Sequence, residues 1–311
     1  MPKVFIDGHA GTTGLEISAR LCRRRDLEIL QIAEADRKNP DARRQCLNAA
    51  DVVILCLPDT AAREAVTLLE NPDTKVLDAS TAHRVADGWT YGLPELQPGQ
   101  RACIQQAARV SNPGCYPTGF LLPARTLVDA GLMPRELFVT VNAVSGYSGG
   151  GRSMIESYEG SDEVHPPLTY GLDMSHKHVP EMRVQAGLVN TPMFVPTVAH
   201  YYRGMLVQLP LANAQLNGVT HADQVHEVLA ERFVAEPFVD VLPMQAPAAL
   251  DNGFLSPLAT NNSNRVELLV FGNAQWTLVV ARLDNLGKGA AGAAVQNLNL
   301  MLGAAENEGL S

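Results

Sequence analysis

The stretch KVFIDGHAGTTGLEISARL, residues 3–21, decides the fold of the first part of this chain. Residues 3–7 are an apolar run typical of a short buried strand, and residues 15–21 are apolar at the spacing of a helix. The three glycines between them allow a tight turn, a close approach of the backbone to a pyrophosphate, and close packing of helix on strand. With a second predicted strand at residues 27–33, this pattern indicates a Rossmann-type nucleotide-binding unit. The alternative is a turn with a structural role only.

The charged segment EADRK, residues 34–38, lies where a Rossmann unit selects its cofactor. An acidic residue there can accept the ribose 2′-hydroxyl of NAD, whereas Arg37 and Lys38 can hold the 2′-phosphate of NADP. A solvated charged loop is the alternative, and we favour NADP(H). The predicted cofactor contacts are Gly8, Gly11, Thr12, Thr13, Gly14, Arg37, Lys38, Ser80 at the end of a further strand, and Lys288 and Gly289 in a glycine-rich turn before the last helix.

The α/β alternation continues through the first third of the chain and then stops. Residues 51–58 and 75–81 read as strands, with an amphipathic helix between them. After the helix that ends near residue 129, four segments are typical of strands in a mostly antiparallel sheet: residues 138–144, 204–209, 265–270 and 276–281. This change of pattern predicts two domains of different architecture.

One cysteine stands at the entrance of a predicted helix. The stretch SNPGCYP, residues 111–117, places Cys115 just before a helix over residues 118–129, with Pro117 suited to the first turn. Unpaired backbone N–H groups and the helix dipole lower the pKa of a thiol at such a position and favour the nucleophilic thiolate. A buried structural cysteine is the alternative.

The composition predicts a cytoplasmic enzyme. The chain has 311 residues, of which 46% are hydrophobic and 18% charged, enough for two cores. A net charge of −9 argues against nucleic-acid and anionic-membrane partners. We expect no signal peptide and no membrane span. The five cysteines form no C-x-x-C pair, which suits a reducing compartment and argues against disulfides and zinc.

Two segments in the second half of the chain contain candidate anion-binding or catalytic residues. The loop SGYSGGGR, residues 145–152, can present backbone N–H groups and the Arg152 guanidinium to an anion. The segment SHKHVPE holds His176 and His178 two residues apart, and since no third donor follows at a metal-binding spacing, we predict acid–base work and no metal site. His200 is a third candidate. A structural role is the alternative for each histidine.

Four blocks together resemble a known family: SNPGCYPT (111–118), SGYSGGGR (145–152), HKHVPE (176–181) and KGAAG (288–292). In this order, and over nearly the whole chain, they resemble the shorter form of the N-acetyl-γ-glutamyl-phosphate reductase family of arginine biosynthesis. The first glycine turn departs from the longer form, since His9 and Thr12-Thr13 replace the more familiar Ala/Ser and Tyr-Thr.

The resemblance implies the fold of the aspartate-semialdehyde and glyceraldehyde-phosphate dehydrogenases. The predicted class is α/β with α+β: a Rossmann-type parallel-sheet domain, closed by the C-terminal helix, with an inserted, mostly antiparallel α+β catalytic domain. The dinucleotide-binding domain is predicted over residues 1–114 and 287–311. The domain for catalysis, substrate binding and oligomerisation is predicted over residues 115–286.

The resemblance also implies a mechanism. Cys115 attacks the carbonyl of N-acetyl-γ-glutamyl phosphate, phosphate leaves, and hydride from NADPH reduces the thioester to N-acetylglutamate 5-semialdehyde. His176 is the predicted acid–base residue, matched to the first histidine of the family's H-x-H-x-P-E block. The predicted substrate contacts are Asn112, Ser145, Arg152, Tyr170, His178 and Glu181.

We expect a small-molecule substrate, inorganic phosphate as a product, and a homo-oligomer, dimer or tetramer. Two alternatives remain. The same fold serves aspartate-semialdehyde dehydrogenases, and a cysteine acyl hydrolase or a nucleotide-sensing protein would use the cysteine or the glycine turn differently. A change in absorbance at 340 nm on adding NADP, phosphate and the semialdehyde separates these readings.

Overall fold

The computed structural model describes residues 1–160 and 164–310, which divide into two compact units. Unit 1 comprises Met1–Pro94, Gly99–Pro113 and Ala290–Ser311. Unit 2 comprises Glu95–Pro98 and Gly114–Gly289.

Helices and strands alternate in unit 1, and strands dominate unit 2. The helices of the described residues are α1 (Thr12–Leu21), α2 (Pro40–Ala49), α3 (Asp59–Thr67), α4 (Gln100–Gln106), α5 (Cys115–Asp129), α6 (Arg152–Glu159), α7 (Val179–Ala186), α8 (Ala222–Phe233) and α9 (Gly292–Leu302). The strands of unit 1 are β1 (Lys3–Asp7), β2 (Glu28–Leu30), β3 (Val52–Leu55), β4 (Lys75–Asp78), β5 (Thr90–Tyr91) and β6 (Arg109–Ser111). Those of unit 2 are β7 (Thr140–Gly146), β8 (Leu168–Thr169), β9 (Met193–Ala199), β10 (Met205–Ala212), β11 (Val239–Val241), β12 (Leu250–Asp251), β13 (Phe254–Leu255), β14 (Val266–Gly272) and β15 (Trp276–Leu283).

Unit 1 is built on a six-stranded sheet in the order β2-β1-β3-β4-β6-β5, with every neighbouring pair parallel. All four residues of β3 are buried, because helices cover both faces of the sheet. Alternate residues of β1 face opposite ways: Val4 packs with Ile17 of α1, and Phe5 packs with Ala62 of α3. The predicted Rossmann-type parallel sheet is confirmed.

The last helix belongs to unit 1, as the resemblance implies. Val295 and Leu298 of α9 are fully buried and pack in one core with Ile54 and Leu77 of the central strands. The chain therefore starts unit 1 at its first strand and completes the core of that unit only with its last helix.

Unit 2 contains a seven-stranded sheet in the order β11-β14-β15-β10-β7-β9-β8. Four of its neighbouring pairs are antiparallel, while β7 pairs with β9, and β11 with β14, in parallel. The predicted mostly antiparallel sheet is confirmed. The sequence analysis missed β9, which contains Pro196.

Helix α5 packs closely on one face of this sheet. A Cβ atom at Gly119 would lie 2.8 Å from Cγ2 of Val207 in β10, so the glycine lets the helix approach the strand. On the other face, a core of Leu206, Ala246, Leu269 and Val280 covers only part of the sheet.

The units differ from the predicted domains at residues 95–98, 114 and 287–289, which were predicted in the dinucleotide-binding domain and lie in unit 2. Within unit 2, Glu95 of the first of these segments accepts hydrogen bonds from Lys288 of the last. In the part of the chain that the structure describes, no helix combines the length and the apolar character needed to cross a membrane.

Candidate active site

Cys115 is the first residue of α5, three residues earlier than the predicted start of the helix. The residue before it, Gly114, has an extended backbone and brings no capping side chain. The first turn of a helix leaves backbone N–H groups without intrahelical partners and carries the positive end of the dipole. The thiol is half-buried, and its position favours the thiolate, which is the nucleophilic form.

A buried carboxylate holds the backbone directly before the cysteine. Glu181 of α7 is 1% exposed, and its Oε1 accepts a hydrogen bond from the N–H of Gly114 at 2.8 Å. The sequence analysis expected Glu181 to orient the substrate. In the structure, this side chain holds the start of α5, and its substrate role stays a prediction.

Gly289 lies against the other side of the cysteine. A Cβ atom at position 289 would lie only 2.8 Å from Cβ of Cys115, closer than real Cβ contacts occur. The residue was predicted as a cofactor contact, and the contact that the structure shows is with Cys115.

Five rings form a cluster beside the cysteine, which we call the His176 cluster; its members are Tyr116, Tyr170, His176, His178 and Phe194. The ring of His176 lies 4.9 Å from that of His178, 5.0 Å from that of Phe194 and 5.8 Å from that of Tyr170, measured between centroids. Tyr116 follows Cys115 in the helix and contacts both histidines edge to face. The structure therefore brings His176, His178 and Tyr170 together near the nucleophile.

The hydrogen bond made by His176 fixes its tautomer. Its Nδ1 accepts from the backbone N–H of His178 at 3.2 Å, so the neutral ring carries its proton on Nε2. Burial, helped by the charge of Lys177, lowers the pKa of His176 to about 4, with Asp173 acting in the opposite direction. At neutral pH the ring is a neutral donor through Nε2.

Two tyrosines extend the cluster. The hydroxyls of Tyr116 and Tyr170 are 2.9 Å apart. Burial raises the pKa of Tyr170 to about 12, and the charge of nearby Cys115 adds to this, so the hydroxyl stays protonated and able to donate. Burial also holds the pKa of Tyr116 well above its usual value, while a hydrogen bond with Ser145 lowers it. Ser145, predicted as a substrate contact, thus acts on Tyr116.

His200 lies in a second group of rings, which we call the His200 cluster; its members are Tyr147, Tyr158, His165, His200 and Tyr202. The ring of His200 contacts those of Tyr158 and Tyr147 at 5.4 Å and 6.0 Å. Its Nδ1 accepts from the backbone N–H of His165 at 3.0 Å. Of the three candidate histidines, His176 and His178 contact Tyr116, the neighbour of the cysteine, and His200 belongs to this other cluster.

The glycine turn of unit 1 has the shape that a pyrophosphate needs. Gly8 has φ +89°, and a Cβ atom there would lie 2.3 Å from the carbonyl oxygen of Cys56. A Cβ atom at Gly14 would lie 2.4 Å from the carbonyl oxygen of Gly8. Gly11 is the N-cap of α1, whose first two residues are Thr12 and Thr13. Gly8 and Gly14 are therefore required by the turn itself.

A cavity of about 450 Å³ opens beside this turn, and its lining includes Gly8, Gly11, Arg37 and Lys38. Arg37 also forms an ion pair with Glu34 at 2.9 Å, with both side chains well exposed. The turn and the two cations share one cavity, so the residues present fit a dinucleotide with a 2′-phosphate.

Four predicted contacts are engaged elsewhere. Lys288 is fully buried and donates to both Glu95 oxygens, at 2.8 and 2.9 Å. Asn112 donates to the carbonyl oxygen of Ala290 and accepts from Asn297. The Ser80 hydroxyl donates to Asp78. Arg152 is exposed and pairs with Glu156 of its own helix.

The polar groups of these four residues have buried or neighbouring partners, and their predicted contacts with cofactor or substrate stay predictions. The site predicted from the sequence also left out three buried residues, Glu95, Tyr116 and Phe194. Tyr116 could have been found from its place next to Cys115, and the other two give no local signal.

Two family profiles match this chain. The family profile described as "Semialdehyde dehydrogenase, NAD binding domain" matches residues 3–103. The profile described as "Semialdehyde dehydrogenase, dimerisation domain" matches residues 115–285.

Two curated relatives that cover nearly the whole chain are named as reductases of the same substrate. The N-acetyl-gamma-glutamyl-phosphate reductase 2 of Nostoc sp. is 51% identical over 99% of this chain and 99% of its own length. The N-acetyl-gamma-glutamyl-phosphate reductase of Chelativorans sp. is 50% identical over 96% of this chain and 98% of its own.

Solved structures share the fold at low identity. An aspartate semialdehyde dehydrogenase from Francisella tularensis is 13% identical, with a TM-score of 0.71 over 97% of this chain and 100% of its own. Aspartate semialdehyde dehydrogenase II from Vibrio cholerae is also 13% identical, with a TM-score of 0.69 over 97% and 98%.

Proposed function

The chain belongs to the N-acetyl-γ-glutamyl-phosphate reductases of the semialdehyde dehydrogenase family, and from this premise we propose how its residues act. The reaction is the NADPH-dependent conversion of N-acetyl-γ-glutamyl phosphate to N-acetylglutamate 5-semialdehyde and phosphate, a step of arginine biosynthesis. The observation that carries the assignment of the nucleophile is the place of Cys115 at the start of α5, beside the His176 cluster.

In the first half of the reaction, the Cys115 thiolate attacks the acyl carbonyl. A carbon–sulfur bond forms, the carbon–oxygen bond to phosphate breaks, and a thioester remains on the enzyme. The thiolate needs no base at this stage, because the helix start favours the ionised form.

In the second half, NADPH supplies the hydride that reduces the thioester carbonyl. As the hydride arrives, His176 donates a hydrogen bond from Nε2 to the carbonyl oxygen and stabilises the negative charge that develops there. The oxygen then re-forms the carbonyl, the carbon–sulfur bond breaks, the Cys115 thiolate leaves, and the semialdehyde is released. Because the ring is neutral at rest, it acts as a hydrogen-bond donor rather than as an imidazolium.

The other predicted residues divide between substrate and scaffold. We assign Tyr170 and His178 to the substrate, since both lie in the His176 cluster. Glu181 and Ser145 act through Gly114 and Tyr116, respectively. We give no substrate role to Asn112, because its amide is engaged with Ala290 and Asn297.

The cofactor would be held by the turn from Gly8 to Gly14, with Arg37 and Lys38 on the 2′-phosphate. Replacing both cations by alanine removes charge-assisted hydrogen bonds, each worth roughly 1.5–3 kcal/mol, and should weaken NADPH while sparing NADH. Fluorescence titrations with the two cofactors measure this, and an unchanged ratio of affinities would place the phosphate elsewhere.

We further propose a homodimer in the cytoplasm. One face of the unit 2 sheet is only partly covered, and Trp276 and Met193 on it are 60% and 51% exposed. The profile that matches this unit is described as a dimerisation domain, so a second copy is the occupant we assign to this face. Light scattering of the wild type and of Trp276→Lys tests the proposed homodimer.

The proposed location in the cytoplasm rests on the cysteines. The free cysteines of the described residues suit a reducing compartment.

The test of the reaction is spectroscopic. In the reverse direction, NADP, phosphate and N-acetylglutamate 5-semialdehyde should give a rise in absorbance at 340 nm that depends on all three. Aspartate semialdehyde is the matched control substrate. Equal rates with both, or hydrolysis of the acyl phosphate without NADPH oxidation, would contradict the proposal.

A further inference from the structure

A fully buried ion pair lies next to the glycine that abuts the nucleophile. The side chains of Glu95 and Lys288 are both 0% exposed, and the ammonium donates to the two carboxylate oxygens at 2.8 and 2.9 Å. The Lys288 ammonium also lies 5.6 Å from the ring centroid of Phe238. The reaction described above uses neither of these two charges.

The lysine is joined directly to the wall behind the cysteine. Gly289 follows Lys288 and is so close to Cys115 that a Cβ atom there would lie 2.8 Å from Cβ of the cysteine. Gly289 also donates its N–H to the carbonyl oxygen of Asp284 at 3.0 Å, a bond across five residues within a π-helical turn. Such turns are rare and concentrate at functional sites.

Hydrogen bonds also fix the segment that contains Glu95. Glu95 belongs to the short segment 95–98 of unit 2, and its backbone carbonyl oxygen accepts from Arg232 of α8 at 2.7 Å. Two residues later, Gln97 accepts from Arg125 at 2.8 Å. Arg125 is on α5, the helix that begins at Cys115. The segment thus ties the body of α5 to the residue that precedes Gly289.

A buried ion pair is weak support for stability, since well-packed apolar residues do as well or better at such sites. An ion pair does fix the distance and the direction between its two side chains. We propose that Glu95 and Lys288 are positioning residues for Cys115, which fix the backbone of Gly289 against the nucleophile. This rests on the proposed function only in taking Cys115 as the nucleophile.

The test compares two carboxylate variants in the full chain. Glu95→Gln keeps the shape of the side chain and removes its charge. Glu267→Gln is the matched control, because Glu267 pairs with buried Arg282 in the same unit, 2.6 Å from its Nε, and has no part in the site. The readouts are the pH profile of Cys115 alkylation by iodoacetamide, located by peptide mapping, together with kcat, KM and the melting temperature.

We expect Glu95→Gln to slow alkylation of Cys115 at pH 7 about tenfold or more, to shift the midpoint of its pH profile, and to lower kcat similarly with KM nearly unchanged. Glu267→Gln should change the melting temperature only. A wild-type alkylation profile and kcat in Glu95→Gln would overturn the proposal. An unreactive Cys115 in the wild type would instead contradict the proposed function.

Two further variants keep the test decisive if Glu95→Gln folds poorly. The double change Glu95→Met with Lys288→Met removes both buried charges, and it should melt near the wild-type temperature yet label Cys115 as slowly as the single variant. If the double variant recovered both the labelling rate and kcat, the proposal that Glu95 and Lys288 position Cys115 would be overturned. Gly289→Ala should slow labelling because its methyl must displace Cys115, and a wild-type rate there would also overturn the proposal.

Discussion

The His176 cluster and the His200 cluster contain the same kinds of residue and differ in what lies beside them. Each holds two histidines among aromatic rings, and in each, one imidazole Nδ1 accepts from a backbone N–H. Only the His176 cluster includes Tyr116, the residue after Cys115, and Tyr170, whose hydroxyl is affected by the charge of the cysteine. Histidine content alone therefore does not distinguish the two clusters, and the link to Cys115 through Tyr116 and Tyr170 does.

The largest expected effect comes from removing that nucleophile. Cys115→Ser should lower kcat by on the order of 10⁴-fold or more while NADPH still binds, because a serine hydroxyl is not ionised by a helix start. Stopped-flow turnover and cofactor fluorescence measure the two properties.

Alkylation of the wild type supplies the control. Cys22 and Cys103 are exposed, whereas burial raises the pKa of Cys56 to about 12. Iodoacetamide at neutral pH should label Cys115 before any of these. Labelling of Cys22 and Cys103 at the same rate, or an active Cys115→Ser enzyme, would remove the distinction between the clusters.

The next effect sets the two clusters side by side. His176→Asn should lower kcat by about 10²- to 10³-fold, the usual cost of removing one hydrogen-bond donor to a developing oxyanion, with little change in cofactor affinity. His200→Asn is the matched variant and should lower kcat less than about threefold, since its ring is outside the His176 cluster. The reverse order of the two losses would show that the hydrogen-bond donor to the oxyanion is His200.

A smaller effect concerns stability and pH. Burial lowers the pKa of His176 in the folded chain to about 4 from 6.5, so protonation disfavours the folded state. The free energy of unfolding should carry its full contribution from neutral His176 above pH 6.5 and lose it as the pH falls toward 4. Urea unfolding at pH 7 and pH 4.5 should show a smaller loss in His176→Asn than in the wild type; an equal loss would contradict the assigned shift.

The smallest expected effect concerns the charge of Lys177 and the pKa of His176. The charge of Lys177 helps to lower the pKa of His176, so Lys177→Ala should raise that pKa by roughly a few tenths of a unit, the scale of an exposed charge. NMR titration of the imidazole signals measures it, with His200 as the internal reference. A further fall in the His176 pKa would reverse the sign of the proposed interaction.

The parts of the fold that the sequence predicted are those with a local signal. Strand β3 reads as an uninterrupted apolar run, and the turn from Gly8 to Gly14 stands between a strand and a helix. Strand β9 was missed because Pro196 argues against a strand, yet here it pairs within a parallel ladder beside Ala143.

The candidate site also contains residues with a local sequence signal and residues whose partners are distant in the chain. Cys115 stands in a short motif whose chemistry can be read from neighbouring residues, whereas His176 was selected by the family resemblance. Lys288 was taken for a cofactor contact because its partner, Glu95, is 193 residues away in the chain. The amide of Asn112 is likewise engaged by Asn297, 185 residues away. Partners at such separations are set by the fold and leave no trace in a local pattern.

Helix α9 has a consequence for how the chain is made. Val295 and Leu298 share a core with Ile54 and Leu77, but the ribosome makes them much later than these central strands. At about 5–20 residues per second, the central strands wait roughly 10 to 50 s for that helix. During this interval the face of the sheet that α9 shares with α1 lacks part of its apolar cover, so the core of unit 1 is complete only after α9 has been made.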